Sequence, residues 1–235
     1  ARRQRQMCIR DSREAVKDVA RVISRYNDLI MARLFDHAHI EELAEYSSVP
    51  VINGLTDYNH PCQIMADAFT ILEHRDSLDG LKIVYIGDGN NVAHSWINFA
   101  TRIPIHMVIC SPQNYQPDAE TYEQVMESGA GKVELIQDPQ EAVKDADVLY
   151  TDVWASMGQE AEAEARKTIF MPYQLNRQLL SFAAKDALVM HCLPAHRGEE
   201  ITDDVLESPQ SIVFDEAENR MHVQKAIMVK LAEKK

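Results

Sequence analysis

Val189-Met190-His191-Cys192-Leu193-Pro194-Ala195-His196-Arg197-Gly198-Glu199-Glu200 is the stretch on which the reading of this chain turns. The apolar run from Ala187 to Met190 has the character of a buried parallel strand, and it empties directly into a thiol, a proline, two histidines, an arginine and two glutamates. In open α/β sheets ligands bind beyond the carboxyl ends of the strands, so function is to be sought there. Pro194 ends the strand and removes a backbone donor, which puts Cys192 where the chain turns out of the sheet. A free cysteine commonly packs as a small hydrophobe; the chemistry crowded around this one marks the rim of a site.

Outward from that stretch, strands alternate with helices. Leu81 to Ile86 reads as a strand, Gly87-Asp88-Gly89-Asn90-Asn91 as a tight glycine turn and Val92 to Arg102 as a helix. Further strands are expected at Ile105 to Cys110, Val133 to Ile136 and Val148 to Thr151, with helical stretches between them, including Asp118 to Ser128. This alternation predicts an α/β fold with a doubly wound parallel sheet. Upstream, Val16, Val19, Ala20, Ile23 and Ile30 recur with helical spacing behind an N-cap at Ser12. A strand over Leu29 to Phe35, a short helix over Ile40 to Tyr46, a strand over Val49 to Gly54 and a long amphipathic helix through Ile64, Ala68, Ile71 and Leu72 sketch a smaller, incomplete α/β unit. The final helix, from Asp215 to about Glu233, repeats Val223, Ile227, Met228 and Leu231 on one face and is expected to dock on a core. Residues 1–11 are set apart, 12–76 form the first unit, 77–214 the second, and 215–235 pack back on the first.

With 235 residues, 46% of them hydrophobic, the chain can bury a sizeable core. A formal charge of -13 argues against a nucleic-acid surface, and no long Lys/Arg run follows residue 12, so the expected partner is a small molecule. Cys8, Cys62, Cys110 and Cys192 are scattered without paired spacing, which fits reduced thiols in a cytoplasmic protein rather than a zinc site or disulfide framework. No apolar run approaches the roughly 18 to 20 residues of a membrane helix. The basic start, with Arg2, Arg3, Arg5 and Arg10, lacks the length and serine content of an organelle presequence and reads as extraneous.

Several residues carry chemistry, each with an ordinary alternative. Arg33 interrupts an apolar run, and a buried arginine is tolerated only when paired; otherwise it is a strand-edge residue in solvent. His60 and Gln63 lie three apart at a helix start, so both can address one ligand beside free backbone N–H groups, although a lone histidine is more often structural. Asn91 offers donor and acceptor at a helix N-terminus, for a carboxylate or simply as an N-cap. Asp152, Ser156 and the Met157 N–H on one loop could bind an α-ammonium and an α-carboxylate together, or cap a helix. Glu160 to Lys167 reads as a solvated helix face, and Arg220 as a partner of Glu216 or of a ligand's anion. The turn at Gly87 also invites a dinucleotide-binding reading. That fingerprint wants a third glycine or alanine where Val92 stands and an acid where Cys110 and Ser111 stand, and both are missing.

Together, His191-Cys192-Leu193-Pro194, Arg197-Gly198-Glu199-Glu200, Asn59-His60-Pro61-Cys62-Gln63, Gly87-Asp88-Gly89-Asn90-Asn91, Asp152 to Gly158 and Glu216-Ala217-Glu218-Asn219-Arg220 resemble, in order, the motifs of ornithine carbamoyltransferases. The resemblance runs from about Ser12 to the C-terminus and implies two units, a carbamoyl-phosphate domain, incomplete here, and an ornithine-binding domain. It implies transfer of a carbamoyl group from carbamoyl phosphate to the δ-amine of L-ornithine, with no metal or organic cofactor, in a homotrimer or a multiple of one. Arg33, His60, Gln63, Cys192, Leu193 and Arg220 would face carbamoyl phosphate, with Cys192, His60, Arg33 and Arg220 as the catalytic set. Asn91, Asp152, Ser156 and Met157 would hold ornithine.

Cys192 would sit near the attacking amine without forming a thioester. The family's Ser-Thr-Arg-Thr-Arg phosphate loop does not occur in the sequence, so weak binding and little turnover are expected of these residues alone. The competing readings are a carbamoyltransferase for another amine, such as acylated ornithine or putrescine, and a binding fragment without turnover.

Overall fold

The computed structural model describes residues 14–128, 130–155 and 162–233, without the side chains of 124–128. Ser12, Ser156 and Met157 lie outside the described residues, so the expected N-cap and two of the expected ornithine contacts do too.

The first unit has a two-stranded parallel sheet of β1 (Ile30–Arg33) and β2 (Val51–Leu55), with α1 (Val16–Ile23), α2 (His37–Tyr46) and α3 (Pro61–Arg75). Val16, Ala20, Ile30 and Leu43 form its small core. Close pairing of the two strands depends on Gly54, where a Cβ would run into the Met31 sulfur and the Ala32 carbonyl. Asp36 caps α2 by accepting from the Ala38 N–H at 2.9 Å, and Pro61 occupies the first turn of α3, where its missing donor costs nothing.

The second unit is a five-stranded parallel sheet in the order β5 (Lys132–Ile136), β4 (His106–Cys110), β3 (Lys82–Ile86), β6 (Val148–Thr151), β7 (Leu188–His191). The order of succession reverses between β3 and β6, the switch point at which such sheets leave a crevice at their carboxyl ends. Strands alternate between two cores, as a sheet covered on both faces requires. Ile83, Tyr85, Met107, Ile109, Tyr150 and Met190 face α4 (Asn91–Ala100), with Trp96 at the centre. Val84, Ile86, Val108, Leu149 and Val189 face the other way, toward α6 (Pro139–Val143), α8 (Arg177–Leu180) and α9 (Asp203–Leu206). Helices α5 (Ala119–Ser128) and α7 (Ala163–Phe170) complete this unit.

The last helix, α10 (Val213–Ala232), packs along α3 through its first half, where Val213, Glu216 and Asn219 are buried. The expected docking face is not there: Met228 is exposed and Val223, Ile227 and Leu231 are only half-buried. Packing against α3 is carried instead by polar residues, with the Asn219 amide donating to Thr70 at 3.0 Å and to Glu73 at 2.5 Å. Among the described residues no helix is long and apolar enough to cross a membrane.

Candidate active site

One cleft of about 820 Å³ opens between the two units. Its first wall comes from the end of β1, the start of α3 and the middle of α10, which bring in Arg33, His60, Gln63 and Arg220. Its second wall comes from the carboxyl ends of β3, β6 and β7, which bring in Asp88 to Asn91, Asp152, Cys192 and Leu193. All eight expected contact residues within the described part of the chain therefore line a single space.

On the second wall the chain leaves β7 through Cys192 and Leu193, whose φ of +53° turns it sharply before Pro194. The turn is held from beneath by His191, whose Nδ1 accepts from the Leu193 N–H at 2.9 Å. Its other nitrogen, Nε2, must then carry the proton, which it gives to Glu200 at 3.0 Å. Glu200 also accepts the His196 N–H at 2.5 Å, so the residues of the motif outside the cleft serve to shape its rim. The Cys192 thiol donates to Asp152 Oδ1 at 3.0 Å. Burial, and then the Asp152 carboxylate beside it, pushes that thiol well above the ordinary cysteine range, so it stays protonated and is a poor nucleophile.

Asp152 is held on its other oxygen by Asn90, whose amide donates at 2.9 Å. Asn90, not Asn91, is the N-cap of α4: its Oδ1 accepts from the Val92 and Ala93 N–H groups at 2.9 and 3.3 Å. Asn91 instead donates to the Thr56 carbonyl of the first unit at 2.8 Å, tying the two walls together. The glycine turn before them is forced by packing, since a Cβ on Gly89 would collide with the Gln116–Pro117 backbone, and Gly87 sits at φ +146°.

Within the charged stretch Glu160 to Lys167, the described part from Glu162 onward does not present a uniformly solvated face. Arg166 is buried, paired with Asp88, and donates from Nε to the Trp154 carbonyl at 2.5 Å. Its guanidinium stacks over Tyr115, 4.8 Å from the ring centroid. Burial nonetheless pushes the Asp88 carboxyl up to about 6, with Arg166 pulling against it. Periodicity gave no hint of this, because one inward arginine among seven charged or small neighbours leaves no apolar signal; the nearby aromatics Tyr115 and Phe170 were the available clue.

On the first wall, Arg33 is exposed at the last position of β1, where it faces the cleft and not a core. His60 is buried, and burial followed by the fields of Arg220 and Arg33 pulls its pKa down to about 4, so the ring is neutral and has one N–H to give. Its backbone N–H donates to the Ser95 hydroxyl at 2.7 Å, which fixes the start of α3 against α4. Arg220 does not pair with Glu216 in a salt bridge. Glu216 accepts instead from Gln63, Tyr150 and the His191 N–H, and the buried Arg220 Nε has no partner among the described residues.

Asp152, His191 and Cys192 bring potential metal-binding atoms within 4.8 Å of one another. Both His191 nitrogens are committed to other partners and the thiol keeps its proton, so this donor set is engaged in hydrogen bonds.

A family model described as the Asp/Orn-binding domain of aspartate/ornithine carbamoyltransferase matches residues 79–231, and one described as its carbamoyl-P-binding domain matches 2–73. The chain belongs to the aspartate/ornithine carbamoyltransferase family. The second match takes in the basic stretch that the sequence reading set apart. An ornithine carbamoyltransferase of Thermococcus kodakarensis is 59% identical over 218 residues, 92% of this chain and 69% of the relative. A chloroplastic one of Pisum sativum is 57% identical, over 92% of this chain and 58% of its own length. Among solved carbamoyltransferases, that of Pyrococcus furiosus superposes with a TM-score of 0.89 at 54% identity, covering 94% of this chain and 72% of the other. An N-acetyl-L-ornithine transcarbamylase superposes at 0.79 with 32% identity, over 92% and 72% of the two chains.

Proposed function

We propose that this chain transfers the carbamoyl group of carbamoyl phosphate to the δ-amine of L-ornithine, giving L-citrulline and phosphate. The observation that carries the reading is the opposition of the two walls: guanidinium and imidazole groups on one, a carboxylate and a protonated thiol on the other, across one cleft. Arg33 and Arg220 attract the acyl phosphate's anionic end, and the neutral His60 ring can give its N–H to the carbonyl oxygen, where negative charge develops. Asp152, with Asn91 and the Ser156–Met157 segment, holds the amino-acid end.

The attacking amine must be neutral, although an alkyl ammonium ordinarily holds its proton to about pH 10.4. Enclosure in a cleft that already strips His60 of its charge works in that direction. The amine nitrogen then bonds to the carbamoyl carbon, the bond to the phosphate oxygen breaks, and the amine's proton passes to the departing phosphate. Cys192 keeps its hydrogen and borders the amine; no thioester is formed. Holding both reactants in line is worth about 7 to 11 kcal/mol of barrier, so closure of the walls belongs to the cycle.

Assembly as a trimer or a multiple of one is part of this proposal and is read by light scattering; the free thiols at Cys62, Cys110 and Cys192 fit a reducing, cytoplasmic setting. The deciding assay is carbamoylation of ornithine, acetylornithine and putrescine side by side. Ornithine is expected to be preferred, because acylation removes the charge that Asp152 pairs with and putrescine has no carboxylate. Preference for putrescine would sink the assignment of the second wall.

A further inference from the structure

Gln63 is fully buried at the floor of the first wall, and its amide nitrogen is spent entirely on acids: it donates to Asp67 Oδ1 at 2.8 Å and to Glu216 Oε1 at 3.2 Å. Its carbonyl oxygen, Oε1, has no partner among the described residues. A buried acceptor without a donor is costly, and this one belongs to a residue that lines the cleft, which marks it as awaiting a donor from a ligand.

The resemblance already sets Gln63 against the carbamoyl group; we propose that Asp67 and Glu216 are positioning residues that lock its amide with the NH2 turned inward, so that the oxygen stays the acceptor for the NH2 of the carbamoyl donor. The lock thereby selects that donor over acyl phosphates bearing a methyl group. This rests on the carbamoyl-transfer reading above.

Three features make the lock one-way. Glu216 is itself pinned, accepting from the Tyr150 hydroxyl at 3.3 Å and from the His191 N–H at 3.0 Å. Asp67 and Glu216 meet at the Gln63 amide nitrogen; burial pushes Asp67 up to about 7, and burial and then the field of Asp67 push Glu216 well above its ordinary range, so the pair holds a proton. The remaining lone pairs of the two acids all call for donors, so a flipped Gln63 would aim its oxygen at oxygens. A ligand with a methyl group in place of NH2 would leave Oε1 buried and unpaired, and sites built to hydrogen-bond a ligand reject the analogue that lacks the group.

The test uses two stable probes that differ only in this group, phosphonoacetamide and its methyl-ketone isostere 2-oxopropylphosphonate, titrated calorimetrically into the intact chain and its variants. The unaltered chain is expected to prefer the amide by at least about tenfold. Glu216→Gln and Asp67→Asn, which keep shape but supply a donor where an acceptor stood, are each expected to cut that preference below about threefold by weakening the amide alone. Gln63→Ala, which keeps both acids in the chain, should lose the same preference, and adding Glu216→Gln to it should lower the preference no further, as for groups acting through one another.

Retention of full preference in either folded acid variant, or its absence from the unaltered chain, overturns the proposal. A chain that prefers the amide yet makes no citrulline keeps the lock and discards the reaction.

Discussion

Burial acts on the two walls of the cleft with opposite results. On the first wall it removes the proton from His60; on the second it keeps the proton on Cys192. Both groups end up neutral, because burial penalises the charged form whatever its sign. What distinguishes the walls is then what burial leaves in place: guanidinium groups at Arg33 and Arg220 facing a carboxylate at Asp152. On the proposed function, the first wall takes the anion and the second the amine.

The sharpest way to break that division is Asp152→Asn. The amide can still accept from Cys192 but offers no charge to an ammonium. The expected outcome is a loss of about 10³-fold or more in kcat/KM for ornithine, worth roughly 4 kcal/mol, with affinity for phosphonoacetamide within about threefold. Steady-state kinetics beside calorimetry reads both. Equal losses for the two ligands would mean that the walls do not divide the work.

The second wall also carries the larger structural debt. Arg166→Met leaves Asp88 buried without its partner and releases the Trp154 carbonyl, so unfolding in urea should show a loss of about 3 to 5 kcal/mol. Asp88→Asn on that background should recover part of it, since a neutral amide no longer needs the guanidinium. Recovery of nothing would place the cost in the aromatic stacking over Tyr115 instead.

These two regions were not equally legible beforehand. Strand ends announce themselves: the run from Ala187 to Met190 stops at a proline, and Leu81 to Ile86 stops at Gly87, so Cys192 and the Asp88–Asn91 turn could be located by pattern. What pattern cannot supply is which of two adjacent asparagines turns inward. Asn90 caps α4 and grips Asp152 while Asn91 reaches across to Thr56, a choice set by tertiary contact. Arg166 and the pair Asp67 and Glu216 were hidden for a related reason: charge read along a helix suggests solvent, and only the packing of a second element converts it into a buried network. The far half of α10 erred the other way, since apolar spacing promised a core that the described residues do not provide.

Burial also gives opposite pH windows to a base and an acid, here both carried by α3 on the first wall. His60 has a folded pKa of about 4 against an ordinary 6.5, so below pH 6.5 the unfolded chain takes up a proton that the folded one refuses. Its share of stability, roughly 3 kcal/mol, is present above about pH 6.5 and is lost as the pH falls toward 4. Asp67, raised to about 7, runs the other way: its share is present below about pH 4 and is lost as the pH rises through 7. Urea unfolding from pH 4 to 8 should therefore show a flatter acid limb in His60→Asn and a flatter limb toward neutrality in Asp67→Asn. Identical limbs in both variants would remove burial as the common cause.

The smallest effect separates scaffold from chemistry at Asn90, where one amide serves both. Asn90→Ala removes the acceptor for the Val92 and Ala93 N–H groups and the donor to Asp152, and should cost about 1 kcal/mol of stability along with part of the ornithine affinity. Asn90→Asp keeps the cap, because aspartate serves there as well as asparagine, but sets a second carboxylate where the Asp152 donor had been at 2.9 Å. Stability to urea should then stay close to that of the unaltered chain while the pH dependence of ornithine binding moves, as repulsion between the two acids raises the pKa of the pair. If Asn90→Asp instead lost as much stability as Asn90→Ala, the contact with Asp152 would be holding the fold, and the second wall could not be credited to the amine alone.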